Sequence, residues 1–218
     1  RGSIGGVICM LGECVMPVKK IVIRVVAVLA VLLGGFLVVV AIQPADFLVT
    51  RSATMAAPPA RIFPEVNSFH AWEAWSPWAK LDPNAKNVFE GPEAGEGAKF
   101  TWSGNDKVGE GTQSIVESKP DERIRIRLDF ERPMKATNDV EFTFKPQDEK
   151  TLVTWNMTGK KDFVSKAFCM FFNMDKMVGG DFEKGLASLK AIVEKPVEGE
   201  AAKSDAPVTG EETKPTEK

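Results

Sequence analysis

The order of apolar and polar positions changes its period several times along the chain. From Ile21 to Ile42 there is no period, because every position except Arg24 is apolar or glycine. A helix of that length spans about 33 Å at 1.5 Å per residue, enough to cross a bilayer's hydrocarbon core. Phe47 to Ala56 then alternates as a first strand does, and Pro58-Pro59 opens a helical stretch that carries Ile62, Phe63 and Val66 on one side. Through the middle the period is two. Ala98, Phe100 and Trp102 form one row, Ile124, Ile126, Leu128 and Phe130 a second, Val140, Phe142 and Phe144 a third, and Val153, Trp155 and Met157 a fourth. The intervening positions hold Arg123, Arg125, Arg127 and Asp129, then Glu141, Thr143 and Lys145, which predicts an antiparallel sheet wet on one face with arginine set against glutamate across strands. Glycines and the runs Pro120-Asp121-Glu122 and Pro146-Gln147-Asp148-Glu149 mark turns and bulges.

From Asp162 the period becomes 3.6, with Met174, Met177, Val178, Phe182, Leu186, Leu189 and Val193 on one stripe. The expectation is one long terminal helix, relaxed at Gly179-Gly180. Strand, helical pair, antiparallel strands and long helix together predict an α+β domain in which a curved sheet wraps the last helix. Such a wrap leaves room between sheet and helix.

The flanks differ in kind from this domain. Residues 1–20 form a poorly defined leader, in which Met16-Pro17-Val18-Lys19-Lys20 is a more natural start than Arg1. Lys19, Lys20 and Arg24 precede the centre of the apolar span and Asp46 follows it, so the positive-inside rule places the amino end in the cytoplasm. The expectation is a single-pass signal anchor, residues 21–42, in the inner (cytoplasmic) membrane, with the following domain periplasmic or otherwise extracytoplasmic. A cleaved secretory signal is the alternative, disfavoured by the length of the span and the poor cleavage site around Val40-Ala41-Ile42. Residues 47–195 are the folded domain. Residues 196–218, rich in Pro, Glu, Lys, Thr and Ala, read as a disordered tail because they hold no apolar cluster.

Composition removes several chemistries. Lys plus Arg number 28 and Asp plus Glu 30, a net charge of -2, so no phosphate-backbone footprint and no nucleic-acid partner is expected. A single histidine, His70, leaves no His-rich zinc site, and three cysteines without a Cys-x-x-Cys pair support neither structural zinc nor thioredoxin-like exchange. No metal and no cofactor is expected. Cys169 reads as a small buried apolar residue. His70 has neither a nucleophile motif nor an orienting carboxylate nearby and reads as a surface or helix-end residue. Asp129 and Glu141 are a conceivable carboxylate pair, but alternation puts them on the polar face among the arginines. Trp72, Trp75 and Trp78 suit either a cavity lid or a membrane belt, and packing on the sheet after a short helix that ends at Ser76-Pro77 is preferred.

Several segments in order resemble one family. These are Ala57-Pro58-Pro59-Ala60-Arg61-Ile62-Phe63, Trp72-Glu73-Ala74-Trp75-Ser76-Pro77-Trp78, Phe100-Thr101-Trp102-Ser103-Gly104, Val153 to Gly159 and Met174 to Leu186. Together, over about Phe47 to Glu194, they resemble the START-like, helix-grip superfamily (SRPBCC), specifically its bacterial polyketide cyclase/dehydrase and lipid transport group. The resemblance implies a cavity between sheet and last helix that accepts a lipid, polyketide or other apolar molecule. From the rows themselves the expected ligand-binding residues are Phe100, Trp102, Phe130, Phe142, Phe144, Trp155 and Met157, closed by Met174, Met177 and Val178. The leading expectation is a membrane-tethered binder of a hydrophobic small molecule or lipid, for holding, handover or sensing. A cyclase/dehydratase-type enzyme and a non-catalytic protein-interaction module are the alternatives, no catalytic residue is assigned, and no protein partner is identified.

Overall fold

The computed structural model describes residues 18–195, so the expected tail and most of the expected leader, with Cys9 and Cys14, lie outside the described residues. The first element, α1 (Val18–Ile42), is 25 residues long, takes in Lys19 and Lys20, and holds an 18-residue stretch with a mean hydropathy of 3.1. By length and composition it is able to cross a membrane.

The domain after it is α+β, a seven-stranded antiparallel sheet with the order β1-β7-β6-β5-β4-β3-β2. The strands are β1 (Asp46–Met55), β2 (Lys86–Glu90), β3 (Lys99–Ser103), β4 (Glu110–Lys119), β5 (Arg123–Arg132), β6 (Ala136–Gln147) and β7 (Lys150–Lys160). Every consecutive pair from β2 to β7 is a hairpin neighbour, and β1 closes the order by pairing with β7. Between β1 and β2 run α2 (Pro59–Asn67) and the single turn α3 (Trp72–Trp75). The sheet curves around the terminal helix, the helix-grip arrangement.

Alternation decides which side faces in. Ile124, Ile126 and Leu128 on β5, Val140, Phe142 and Phe144 on β6, and Val153, Trp155 and Met157 on β7 are all buried. The arginine row faces out, and Arg125 is opposite Glu141 in register, as expected. The ion-pair partner of Arg123 and Arg125, however, is Glu117 on β4, at 2.6 and 3.7 Å. Strand β4 carries register shifts between Glu110 and Gly111 and between Ile115 and Glu117. Strands β2 and β4 have no counterpart among the predicted rows.

The terminal helix is two helices. The break falls at 170–173, between α4 (Phe163–Cys169) and α5 (Met174–Val193). Each begins at a side-chain cap: Asp162 accepts from the Ser165 amide at 2.7 Å and Asn173 from the Lys176 amide at 3.0 Å. Ser165, through its hydroxyl first and its amide second, holds the Asp162 carboxyl below the usual range. Phe182, Leu186, Leu189 and Val193 are buried in the core, whereas Met177 is 57% exposed. Cys169 is half-buried, not a core residue, because α4 lies outside the grip.

Helix α5 does not relax at Gly179-Gly180; it is continuous, and Gly179 has a packing reason. Arg51, on the inward row of edge strand β1, bonds Asp175 at 3.1 Å and Glu183 at 2.6 Å, and its guanidinium fills the place a Gly179 side chain would take. A Cβ on Gly180 would meet nothing within 4 Å. Glycine costs roughly 1 kcal/mol against alanine in a helix interior. Gly180→Ala is therefore expected to raise the melting temperature, and Gly179→Ala to lower it by displacing Arg51, two shifts of opposite sign in one thermal unfolding series.

The same clamp responds to pH. The Arg51 guanidinium, through its hydrogen bond, holds the Asp175 carboxyl below the usual range. A depressed folded-state value gives stability that is present above the ordinary carboxylate range, about pH 4, and lost as pH falls through the folded value. Between about pH 6 and about pH 3, Asp175→Asn is expected to lose less stability than the parent, measured by urea unfolding at each pH.

Candidate functional site

The grip does not close along its whole length. The C-terminal half of α5 packs into the core, whereas its first turns, held to edge strand β1 by Arg51, face the middle strands across a cavity of about 730 Å³. Ten of its lining residues are Phe or Trp. On one side Phe89 stacks on Phe100 at 5.0 Å, Phe100 on Trp102 at 5.9 Å, and Trp102 meets the edge of Phe130 at 5.8 Å, a ladder that crosses β2, β3 and β5. On the other, Trp78 stands edge-on to Trp155 at 5.9 Å and to Phe182 at 6.3 Å. Leu128, Val140 and Met157 complete the sheet side, and Met174, Met177 and Val178 complete the helix side.

Local sequence explains why the ladder stands. Trp102 donates its indole N–H to the Val108 carbonyl at 2.9 Å, which fixes the ring across Gly111 of the neighbouring strand. A Cβ at Gly111 would lie 2.5 Å from that ring and 2.6 Å from the Asp129 carbonyl oxygen. The glycine at the bulge is thus a seat for the tryptophan. Trp72 and Trp75 are held by donation to the Val66 and Glu65 carbonyls at 2.9 and 3.0 Å, and both are buried against Phe142 and Trp155. The preferred reading of these two rings, packing on the sheet after a short helix, agrees with the structure. Trp78 instead faces the cavity, and Trp72 reaches its wall as well.

Of the ten residues expected to bind ligand, Phe100, Trp102, Phe130, Trp155, Met157, Met174, Met177 and Val178 lie on this wall. Phe142 and Phe144 are a correction. They are 0% and 3% exposed and sit in the core, because α2 and α3 cover that end of β6, with Phe63 against Phe144 at 5.5 Å and Trp72 against Phe142 at 5.9 Å.

Two polar side chains escaped the sequence reading. Asn138 is 6% exposed and Gln113 half-buried, and both line the cavity. Asn138 begins the inward row that continues as Val140 and Phe142, so alternation carried to its end identifies it. Gln113, opposite Phe100 and Leu128 in register, lies on a strand the hydrophobic pattern did not reveal. Neutral amides donate and accept, so together they offer a ligand's carbonyl or hydroxyl a polar end inside an apolar chamber.

Of the charged groups on the wall, Glu73, Asp106, Lys107, Arg132 and Lys160 are exposed, and Asp82, Lys161 and Asp181 are half-buried. Asp129 and Glu141 face outward. Asp129 is bound by Arg127 at 2.8 Å and by the Thr137 hydroxyl at 2.5 Å, contacts that lower its pKa, the arginine first. His70 is exposed and stacks on Phe89 at 3.9 Å behind the ladder. No cluster of His, Cys, Asp and Glu suited to a metal ion occurs among the described residues.

Known proteins share this architecture. The structure of CV1439 from Chromobacterium violaceum is 17% identical, with a TM-score of 0.51 over 68% of this chain and 98% of that one. The hypothetical protein jhp0584 from Helicobacter pylori is 11% identical, with a TM-score of 0.54 over 69% and 89%. An uncharacterised protein from Rhizobium leguminosarum is 12% identical, with a TM-score of 0.50 over 69% and 96%. At these identities the likeness is one of fold. No curated protein matches the sequence. Residues 46–194 match the family described as "Polyketide cyclase / dehydrase and lipid transport", and with this span covering more than half of its length the chain belongs to that family.

Proposed function

We propose that this protein is a membrane-tethered binder of an acyl-chain-like ligand, which it holds in the sheet–helix cavity for handover or sensing close to the bilayer. The observation that carries the reading is the cavity itself, about 730 Å³ with aromatic and methionine side chains on its wall, none of its charged residues fully buried, and two amides within. Pockets of roughly 300–1,000 Å³ with this balance suit small apolar molecules. Each methylene moved from water into such a wall contributes about 0.8 kcal/mol, so chain length sets affinity while the amides set orientation. Methionines at the helix side adapt to ligand shape and favour a class of ligands over one compound.

The tether follows from α1. Its basic amino end and uninterrupted apolar length support a single span with the folded domain on the extracytoplasmic side. Gln43 to Ala45 are all that separate it from β1, which confines the cavity to the membrane surface and suits local exchange rather than travel.

Quenching tests the site. Trp72, Trp78, Trp102 and Trp155 line the cavity, so a brominated fatty acid bound there is expected to quench most of the tryptophan fluorescence saturably, and an unquenched titration would refute the reading. Asn138→Leu is expected to weaken binding about fivefold to tenfold, the effect of one lost hydrogen bond, with little change for a plain hydrocarbon probe.

A further inference from the structure

The segment at α4 is the least protein-like surface of the domain. Between 163 and 172, Phe163, Val164, Phe168, Met170, Phe171 and Phe172 are all exposed, Phe171 by 74%. A contiguous apolar surface of this kind marks a contact with something other than water. Its neighbour is the C-terminal part of α1. The ring of Phe171 lies 6.3 Å from that of Phe36, and Lys166 Nζ donates to the Ala41 carbonyl at 3.4 Å, at the end of the helix where a cation is favoured. Phe168 stacks on Phe172 at 4.3 Å and keeps the rings together.

The position of Phe36 sets a depth. It lies six residues before the end of α1. At 1.5 Å per residue that is about 9 Å along the axis. Amphipathic helices that rest in a membrane interface sink about 5–10 Å into it. A ring level with Phe36 therefore reaches the acyl boundary of whichever leaflet contains the end of α1. Lys160 and Lys161 precede the segment and Lys166 lies within it, long side chains whose ammonium groups are able to reach headgroups from apolar surroundings. The same region borders the cavity: Lys160, Lys161, Ser165, Met174 and Met177 belong to its wall, and a smaller hollow of about 470 Å³ shares Phe47, Lys161 and Met174 with it while running along Cys169 to Phe172.

We propose that residues 163–172 lie in the interfacial layer of the leaflet in which α1 ends, so that the rim of the cavity sits at the lipid and a ligand passes between bilayer and cavity without crossing water. The occupant of the apolar face is lipid because α1, the element it packs against, is itself fixed at that depth. The inference rests on reading α1 as a membrane span, and its test separates the two.

The full chain, carrying Cys9→Ser, Cys14→Ser and Cys169→Ser, is spin-labelled at Phe171→Cys and, independently, at Phe168→Cys. It is reconstituted in phosphatidylcholine and phosphatidylglycerol vesicles. Leu32→Cys in mid-α1 and the exposed Val116→Cys on β4 are the references. Collision with oxygen, which concentrates in lipid, is compared with collision with a water-soluble nickel chelate. Labels at 168 and 171 that meet oxygen and exclude nickel, with 116 in water, support the proposal. Labels at 168 and 171 reached by nickel while 32 is in lipid overturn it and leave the anchor standing. Position 32 in water removes the anchor and this proposal with it. Labels at 168 and 171 shielded from both reagents place a protein, such as a second copy, on the face and overturn the lipid assignment.

Discussion

Replacing Trp155 by alanine is expected to lower the stability of the folded domain by about 3–5 kcal/mol, the cost of deleting a large buried aromatic ring. Trp155 is 2% exposed and lies at the centre of the aromatic core: it stacks on Phe182 of α5 at 4.0 Å with the planes 6° apart, and Phe142 is 4.7 Å away. The edges of Trp72, Trp75 and Trp78 surround it at about 6 Å. It joins the sheet, the α3 turn and the terminal helix, so neighbouring rings cannot collapse into the space without moving the backbone. For a domain of this size the change corresponds to a drop of roughly 10 °C in melting temperature. Trp155→Phe is expected to cost much less, because the indole N–H has no hydrogen-bond partner to lose. Chemical denaturation followed by circular dichroism measures both, and equal losses for the two variants would show that ring size is not what holds the grip.

Val178→Trp is expected to reduce ligand affinity about a hundredfold while the domain remains folded. Val178 is half-buried on the first turns of α5, where it packs at the margin of the core and lines the cavity. An indole there occupies roughly the room of three or four ligand methylenes. At about 0.8 kcal/mol each the loss is about 3 kcal/mol. Each 1.4 kcal/mol is about a factor of ten in affinity, which gives the hundredfold figure. Titration with a brominated fatty acid reads the affinity, and an unchanged melting temperature confirms that the fold has been spared. Unaltered affinity in a folded Val178→Trp variant would place the ligand elsewhere.

The parts of the fold that pack on both sides of a strict pattern were legible. On β5, β6 and β7 the inward row is largely buried and the outward row largely polar or charged, so a period of two read directly from the sequence assigns both faces. Strand β2 is a short edge strand whose only substantially covered ring is Phe89, and β4 turns Gly111 and Gln113 inward. A strand that floors a cavity is released from the demand for apolar side chains, which is why β4 escaped a hydrophobic reading and why its Gln113 matters. The break before α5 had a local signal in the capping residues Asp162 and Asn173, but the apolar residues around it hid that signal. They continue through the break because they face outward at α4 instead of inward. Other features have no local trace. Arg51 on an inward row and Gly179 on a helix make sense only as a pair more than a hundred residues apart, and Phe142 and Phe144 leave the cavity wall only because α2 and α3 cover them.

The most direct test is chemical. The full chain and its Val178→Trp variant are purified side by side from the protein's own cells, extracted with organic solvent and compared by mass spectrometry, so that lipids carried around α1 cancel. The account predicts an acyl-chain-containing compound near one equivalent in the parent and absent from the variant. Identical extracts from two folded proteins would contradict it.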